Sequence, residues 1–206
     1  MKLLDVNTWN RKQLFEHFMG FDDPYFAVSF KVDVTMAYKF AKSNEVSFFT
    51  KYLHACLQAM NDIENFRYRL DSENRVVVHD VIHASATILR PDKTFGFSFI
   101  HFDDDILKFQ EHVNQEKERI FNSQELFPPT NSNDCIHCSS LPWLNFTGHK
   151  EPFMGIKDSV PKVAFSKVEV SNNTKEMTIA LSVNHALVDG YHVGVFKEKF
   201  QFYLNA

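Results

Sequence analysis

An α/β fold, a two-layer mixed β-sheet with covering helices, is predicted by two features of the sequence. Segments with apolar residues at helical spacing alternate along the chain with segments of strict in-and-out alternation, and the strands do not form one consecutive block. No repeat, Pro- or Ser-rich linker or long charge block divides the 206 residues, so one domain over residues 1–206 is expected.

The elements follow in order. Thr8 is placed to cap a short helix running to about Phe18, with Trp9, Leu14, Phe15 and Phe18 at helical spacing. From Tyr25, alternation of Phe26, Val28, Phe30, Val32 and Val34 with Ser29, Lys31 and Asp33 predicts a half-buried strand. Thr35 and Ser47 are expected to cap two helices, the second carrying Phe48, Tyr52, Leu53, Cys56, Leu57 and Met60 on one side. Residues 66–70 and 75–78, joined by a turn at 71–74, predict a hairpin, and residues 85–89 and 95–99 predict two further strands. Three aspartates, 103–105, precede a helix from about Ile106 to Phe121, where a helix N-terminus favours negative charge. Phe127, Pro128 and Pro129 open a loop. Strands are expected around 139–146, 162–170 and 177–184, with a turn at Asn172, Asn173 and Thr174 between the last two. A helix over about 191–203 follows.

Composition narrows the function classes. With 44% hydrophobic and 23% charged residues and only 6 Gly and 7 Pro, the chain is neither disordered nor fibrous. Its 22 Phe imply a large aromatic core, with Phe26, Phe30, Phe97 and Phe99 at core-facing positions. A net charge of −4 argues against nucleic acid or an anionic membrane as partner. Three Cys make no disulfide framework, the N-terminal residues lack an apolar leader, and no apolar stretch approaches the ~18 residues of a spanning segment. A cytoplasmic protein is expected.

Most of the 10 His fail as chemistry on spacing. His79 and His83 lie four apart, but in an extended segment that is ~13 Å, too far to share one ion. Cys135-Ile136-His137-Cys138 is a CxxC without the second ligand pair that a structural zinc requires, and reads as two packed thiols in a loop or edge strand. No Gly-rich phosphate loop or nucleophile elbow occurs. That leaves His185, at the end of the apolar run Ile179, Leu181, Val183, where Asp189-Gly190 turns the chain into the last helix. A His fixed at a strand end is suited to general-base work, because imidazole titrates near neutrality. The same features also describe a structural His and a plain turn.

His185-Ala-Leu-Val-Asp189-Gly190-Tyr191-His192-Val193-Gly194 resembles the HHxxxDGFHVG signature of the chloramphenicol acetyltransferase family. Residues 139–146, SSLPWLNF, resemble that family's SALPWVNF, and Trp9-Asn10-Arg11-Lys12-Gln13-Leu14-Phe15 resembles its W-x-R-[KR]-x-x-F. Leu126-Phe127-Pro128 falls where the family has its own L/Y-F-P. Together these motifs span nearly the whole chain. The shorter HxxxDG is shared with dihydrolipoamide acyltransferases, whose lipoyl and linker regions are not expected here.

The resemblance implies a chloramphenicol-acetyltransferase-like fold and an acetyl-CoA-dependent O-acetyltransferase of the CoA-dependent acyltransferase superfamily. It implies His185 as general base toward an acceptor hydroxyl, without an acyl-enzyme, and Ser139 as donor to the oxyanion. Asp189 and Arg11 are implied as a supporting ion pair, Trp143 and Lys167 as coenzyme contacts, and Phe18 as an aromatic of the acceptor pocket. It further implies a homotrimer with sites at subunit interfaces, acetyl-CoA as co-substrate and no metal. The chain departs from the family at Asn184, where the family has a first His, at Ala164, where it has a Thr, and along 147–157. Chloramphenicol is the leading acceptor. Another small hydroxylated acceptor, or a catalytically silent ligand-binding trimer, are the alternatives.

Overall fold

The computed structural model describes residues 1–152 and 158–206. Its elements are β1 (Lys2–Leu3), α1 (Lys12–Met19), β2 (Tyr25–Asp33), α2 (Thr35–Ser43), α3 (Phe48–Asn61), β3 (Tyr68–Leu70), β4 (Val76–Val78), β5 (His83–Leu89), β6 (Phe95–Phe97), α4 (Ile106–Phe121), β7 (Cys135–Leu141), β8 (Lys162–Ser171), β9 (Thr174–Asn184) and α5 (Gly190–Asn205). A six-stranded sheet runs in the order β2-β9-β8-β7-β5-β6, and a small sheet in the order β1-β4-β3. β5, β7 and β8 are parallel neighbours, whereas β2, β9 and β8 pair antiparallel.

One face of the large sheet carries the core. Met177, Ile179, Leu181 and Val183 of β9, Val163 and Phe165 of β8, Ile136 and Cys138 of β7 and Ala84 and Ala86 of β5 are buried there. They share one cluster with Leu53, Leu57 and Met60 of α3 and Phe196, Phe200 and Leu204 of α5. The alternate positions, which the pleat turns to the other face, are small or polar: Ser182 and Ala180 of β9, Ala164 of β8, Ser139 of β7, and Ser85 and Thr87 of β5.

Ser47 caps α3 by accepting from the Thr50 N–H, and Asp105 caps α4 by accepting from Leu107. The other two expected caps are corrected. Thr8 lies in a turn, its hydroxyl bonded to Asp5, and α1 begins only after Arg11. Thr35 accepts from the Lys175 N–H across the sheet end, so its oxygen is spent outside α2. A 3₁₀ turn at Glu64–Arg67 takes Phe66 out of the expected strand. The strand expected around 139–146 runs instead over Cys135–Leu141 and lies inside the sheet, not at an edge. Odd spacing puts the two thiols of its CxxC on opposite faces, Cys138 in the main core and Cys135 against Phe99 and Val160. Burial pushes the Cys135 thiol up to about 12 and Cys138 well above its ordinary value, so both remain protonated.

Phe26 and Phe30 pack against the main core and Phe99 is buried in the smaller cluster, but Phe97 stacks on Phe127. No helix among the described residues is long and apolar enough to cross a membrane.

Candidate active site

His185 sits in the turn between β9 and α5, held on every side. Its N–H donates to the Pro24 carbonyl (2.9 Å), and its carbonyl receives a long hydrogen bond from Arg11 Nη2 (3.4 Å). The imidazole stacks on Phe18 of α1, centroids 4.0 Å apart at 6°, and tilts against Phe26 of β2 at 4.5 Å. Nδ1 is buried and has no hydrogen-bond partner among the described residues, which leaves Nε2 as the nitrogen able to meet a substrate. Two aromatic walls and a fixed backbone therefore aim one nitrogen.

The turn is pinned by Asp189, the N-cap of α5, which accepts from the Tyr191 N–H at 3.0 Å and from Arg11 Nη1. Arg11 is nearly buried at the start of α1, its guanidinium 5.7 Å from the Trp9 ring, and Trp9 packs edge-on against Tyr68. Burial raises the Asp189 carboxyl, but the Arg11 hydrogen bond together with the His192 and Arg11 charges outweighs it and holds the group below the usual carboxylate range. His192 Nδ1 lies 3.2 Å from the Asp189 N–H and 2.9 Å from Asp189 Oδ1. Nδ1 accepts from the backbone when neutral and donates to the carboxylate only when protonated. Burial lowers the His192 pKa, which favours the neutral, N–H-accepting state.

Ser139 lies elsewhere. It faces Ala164, which faces Ala180, itself five residues upstream of His185. Two strand spacings and five residues of rise separate Ser139 from His185 by on the order of 20 Å. Ser139 occupies the face opposite the helices, whereas the His185 ring lies among Phe18 and Phe26 beside the core. Within one chain the two are not brought together. Among the described residues the Ser139 hydroxyl has one side-chain contact, accepting from Thr87 Oγ1 at 3.5 Å, which leaves its proton available.

Trp143 is 64% exposed in the turn after β7. The turn is tied to β8 where the Lys167 N–H donates to the Leu144 carbonyl (2.9 Å), at a register shift between Phe165 and Val168. Lys167 is exposed, so these two side chains belong to one open corner, at the sheet end away from His185.

Three features were missed in the sequence. Thr87 adjoins Ser139 because β5 pairs with β7, a pairing that local pattern does not encode. Phe95, Phe97 and Phe127 form an aromatic cluster, its Phe95 and Phe127 exposed and its half-buried Phe97 stacked on Phe127 at 5.4 Å, beyond the Thr87 strand. The signal there was apolar residues on a short strand beside the Phe-Pro-Pro loop. Asn184 is 1% exposed and bonded at both ends of its amide. Ala164 is buried opposite Ala180. Part of the divergent 147–157 stretch, residues 153–157, lies outside the described residues.

Comparison with known proteins agrees with this layout. The sequence model described as chloramphenicol acetyltransferase matches residues 1–201. The chain is 24% identical over 208 residues to a chloramphenicol acetyltransferase of Staphylococcus aureus, covering 97% of this chain and 94% of that one. It is 24% identical over 202 residues to one of Escherichia coli, covering 97% and 92%. A solved chloramphenicol acetyltransferase superposes with a TM-score of 0.86 at 26% identity, covering 98% and 99% of the two chains. The dihydrolipoamide acetyltransferase of Azotobacter vinelandii shares the fold, with a TM-score of 0.71 at 15% identity over 94% and 86%. The His-bearing turn, its Arg11 anchor and the serine strand thus occur in a chain whose whole length matches one family, and the protein belongs to the chloramphenicol acetyltransferases.

Proposed function

We propose that the protein transfers acetyl from acetyl-CoA to a hydroxyl of chloramphenicol, with His185 as general base. His185 Nε2 takes the proton of the acceptor hydroxyl as its oxygen forms a bond to the thioester carbonyl carbon. The resulting oxyanion accepts a hydrogen bond from Ser139 Oγ. Collapse breaks the C–S bond, and the leaving thiolate receives the proton from His185, giving the acetyl ester and free CoA. No acyl-enzyme is formed.

The observation that carries this reading is the fixed imidazole, stacked at 4.0 Å on Phe18 with Nδ1 buried and Nε2 as its free nitrogen. A positioned base contributes ~10²–10⁴-fold. Asp189 and Arg11 hold the turn and take no proton. Trp143 and Lys167 would meet the coenzyme, the first by ring stacking and the second by charge. Phe18 would bound the acceptor.

The separation of Ser139 from His185 supports a homotrimer in which the Ser139 face of one copy meets the His185 turn of the next. The small and polar residues beside Ser139 are suited to such a contact. The Phe95, Phe97 and Phe127 cluster would then enclose an aromatic acceptor beside Ser139. Ala164 favours a second reading, another compact hydroxylated acceptor, since the residue opposite Ser139 offers no hydroxyl.

The test is release of free thiol from acetyl-CoA in the presence of chloramphenicol. The wild-type protein is expected to release it, and His185→Ala to lose ~10³-fold in kcat. Equal rates in the two would refute the mechanism. A panel of alcohols in which chloramphenicol is the poorest acceptor would select the second reading.

A further inference from the structure

We infer that Asn184 is a positioning residue that ties His185 to Asp158, an inference that rests on His185 being the base. Its side-chain amide is used at both ends. Asn184 Oδ1 accepts from the Ala186 N–H (2.9 Å), closing a turn around His185, and Nδ2 donates to the Asp158 carbonyl (2.8 Å). The Asn184 carbonyl meanwhile accepts from the Leu187 and Val188 N–H groups at 3.1 and 3.0 Å. The residue immediately before the imidazole is thus locked, and one of its locks lies outside its own turn.

Asp158 is itself anchored. Its carboxylate accepts from the Val160 N–H (2.9 Å) and pairs with Lys162 Nζ (3.1 Å) on β8, while the Tyr25 hydroxyl donates to the Val160 carbonyl (2.8 Å). Lys162 also lies 4.8 Å over the Tyr25 ring, and Tyr25 is the strand partner of Asn184. A closed circuit therefore runs from Asn184 to Asp158, Lys162 and Tyr25 and back to Asn184. Arg11 and Asp189 hold the turn from the side of α1; this circuit holds it from the side of β8.

Asn184→Asp keeps the shape and the acceptor for Ala186 but sets an oxygen against the Asp158 carbonyl, reversing one lock. Asn184→His, which places there the residue of the resembling motif, restores a donor of different reach and serves as the second variant should the first not fold. Two readouts are taken. The His185 ring-proton resonances report position directly, because the Phe18 ring 4.0 Å away shifts them. Steady-state kinetics report consequence. Asn184→Asp is expected to move those resonances toward unstacked values and to lower kcat ~10–100-fold, with the KM for acetyl-CoA within about twofold of wild type. Asn184→His is expected to be intermediate in both. Unchanged resonances with unchanged kcat in both variants would overturn the positioning role. Shifted resonances with wild-type kcat would instead overturn His185 as the base.

Discussion

The His185 turn and the Ser139 strand are built in opposite ways. Around His185 nearly every group is engaged: its backbone N–H and carbonyl are bonded, its ring is walled by Phe18 and Phe26, and Asn184 and Asp189 are locked on either side. Around Ser139 the half-buried hydroxyl has a single long contact among the described residues, its strand neighbours are small, and Trp143 stands in solvent. One half of the proposed site is finished inside a chain, and the other would, under the proposal, be completed by ligand and neighbour. A base needs its direction fixed before substrate arrives, whereas a surface that in the proposed trimer would close over a coenzyme and a second subunit cannot be prefilled.

The comparison can be strained from either half. Ser139→Ala is expected to lower kcat ~10²–10³-fold, the usual cost of one oxyanion donor, with no loss of thermal stability. A loss below about threefold in kcat would remove Ser139 from the chemistry. Arg11→Gln attacks the finished half. It leaves the Asp189 carboxylate with its cap bonds but without its cation, and is expected to cost about 2 kcal/mol, seen as a fall in Tm of about 4–8 °C, together with a ~10-fold lower kcat. An unchanged Tm would show that the turn does not depend on its anchor in α1.

The smallest effect concerns acid. The folded state lowers the His192 pKa, so the native protein binds fewer protons there than the unfolded chain. That contribution is fully present above the ordinary His value near 6.5 and is lost as pH falls below it. His192→Gln should therefore flatten the decline of Tm between about pH 7 and pH 5.5, by about 2 °C. An identical pH dependence in variant and wild type would place the acid sensitivity elsewhere, in His137 or His83 of the Ser139 half, whose pKa values burial also lowers.

Local chemistry was legible in the sequence where the residue acts on its own neighbours. Ser47 caps the helix it precedes, Asp189 turns the chain into α5, and the alternation from Phe26 to Val32 is the edge strand β2. Legibility failed where a residue spends its hydrogen bond on a distant partner. Thr35 looked like a cap, yet its oxygen accepts from Lys175, 140 residues on. β1 is two residues long and exists only because β4 pairs with it. The same limit governs the site. Resemblance placed His185 and Ser139 in one mechanism, but their separation within the chain follows from the order β7-β8-β9, which no local pattern carries.

That separation yields the most direct test. His185→Ala and Ser139→Ala are each expected to be nearly inactive alone, and a mixture of the two, unfolded and refolded together, is expected to form assemblies containing both. If each site takes His185 from one copy and Ser139 from the next, about a quarter of the interfaces in random assemblies hold both intact groups. The mixture should then regain acetyl transfer on the order of a hundredfold above the Ser139→Ala protein refolded alone. A co-refolded mixture no more active than the average of the two variants refolded separately would contradict a site shared between copies.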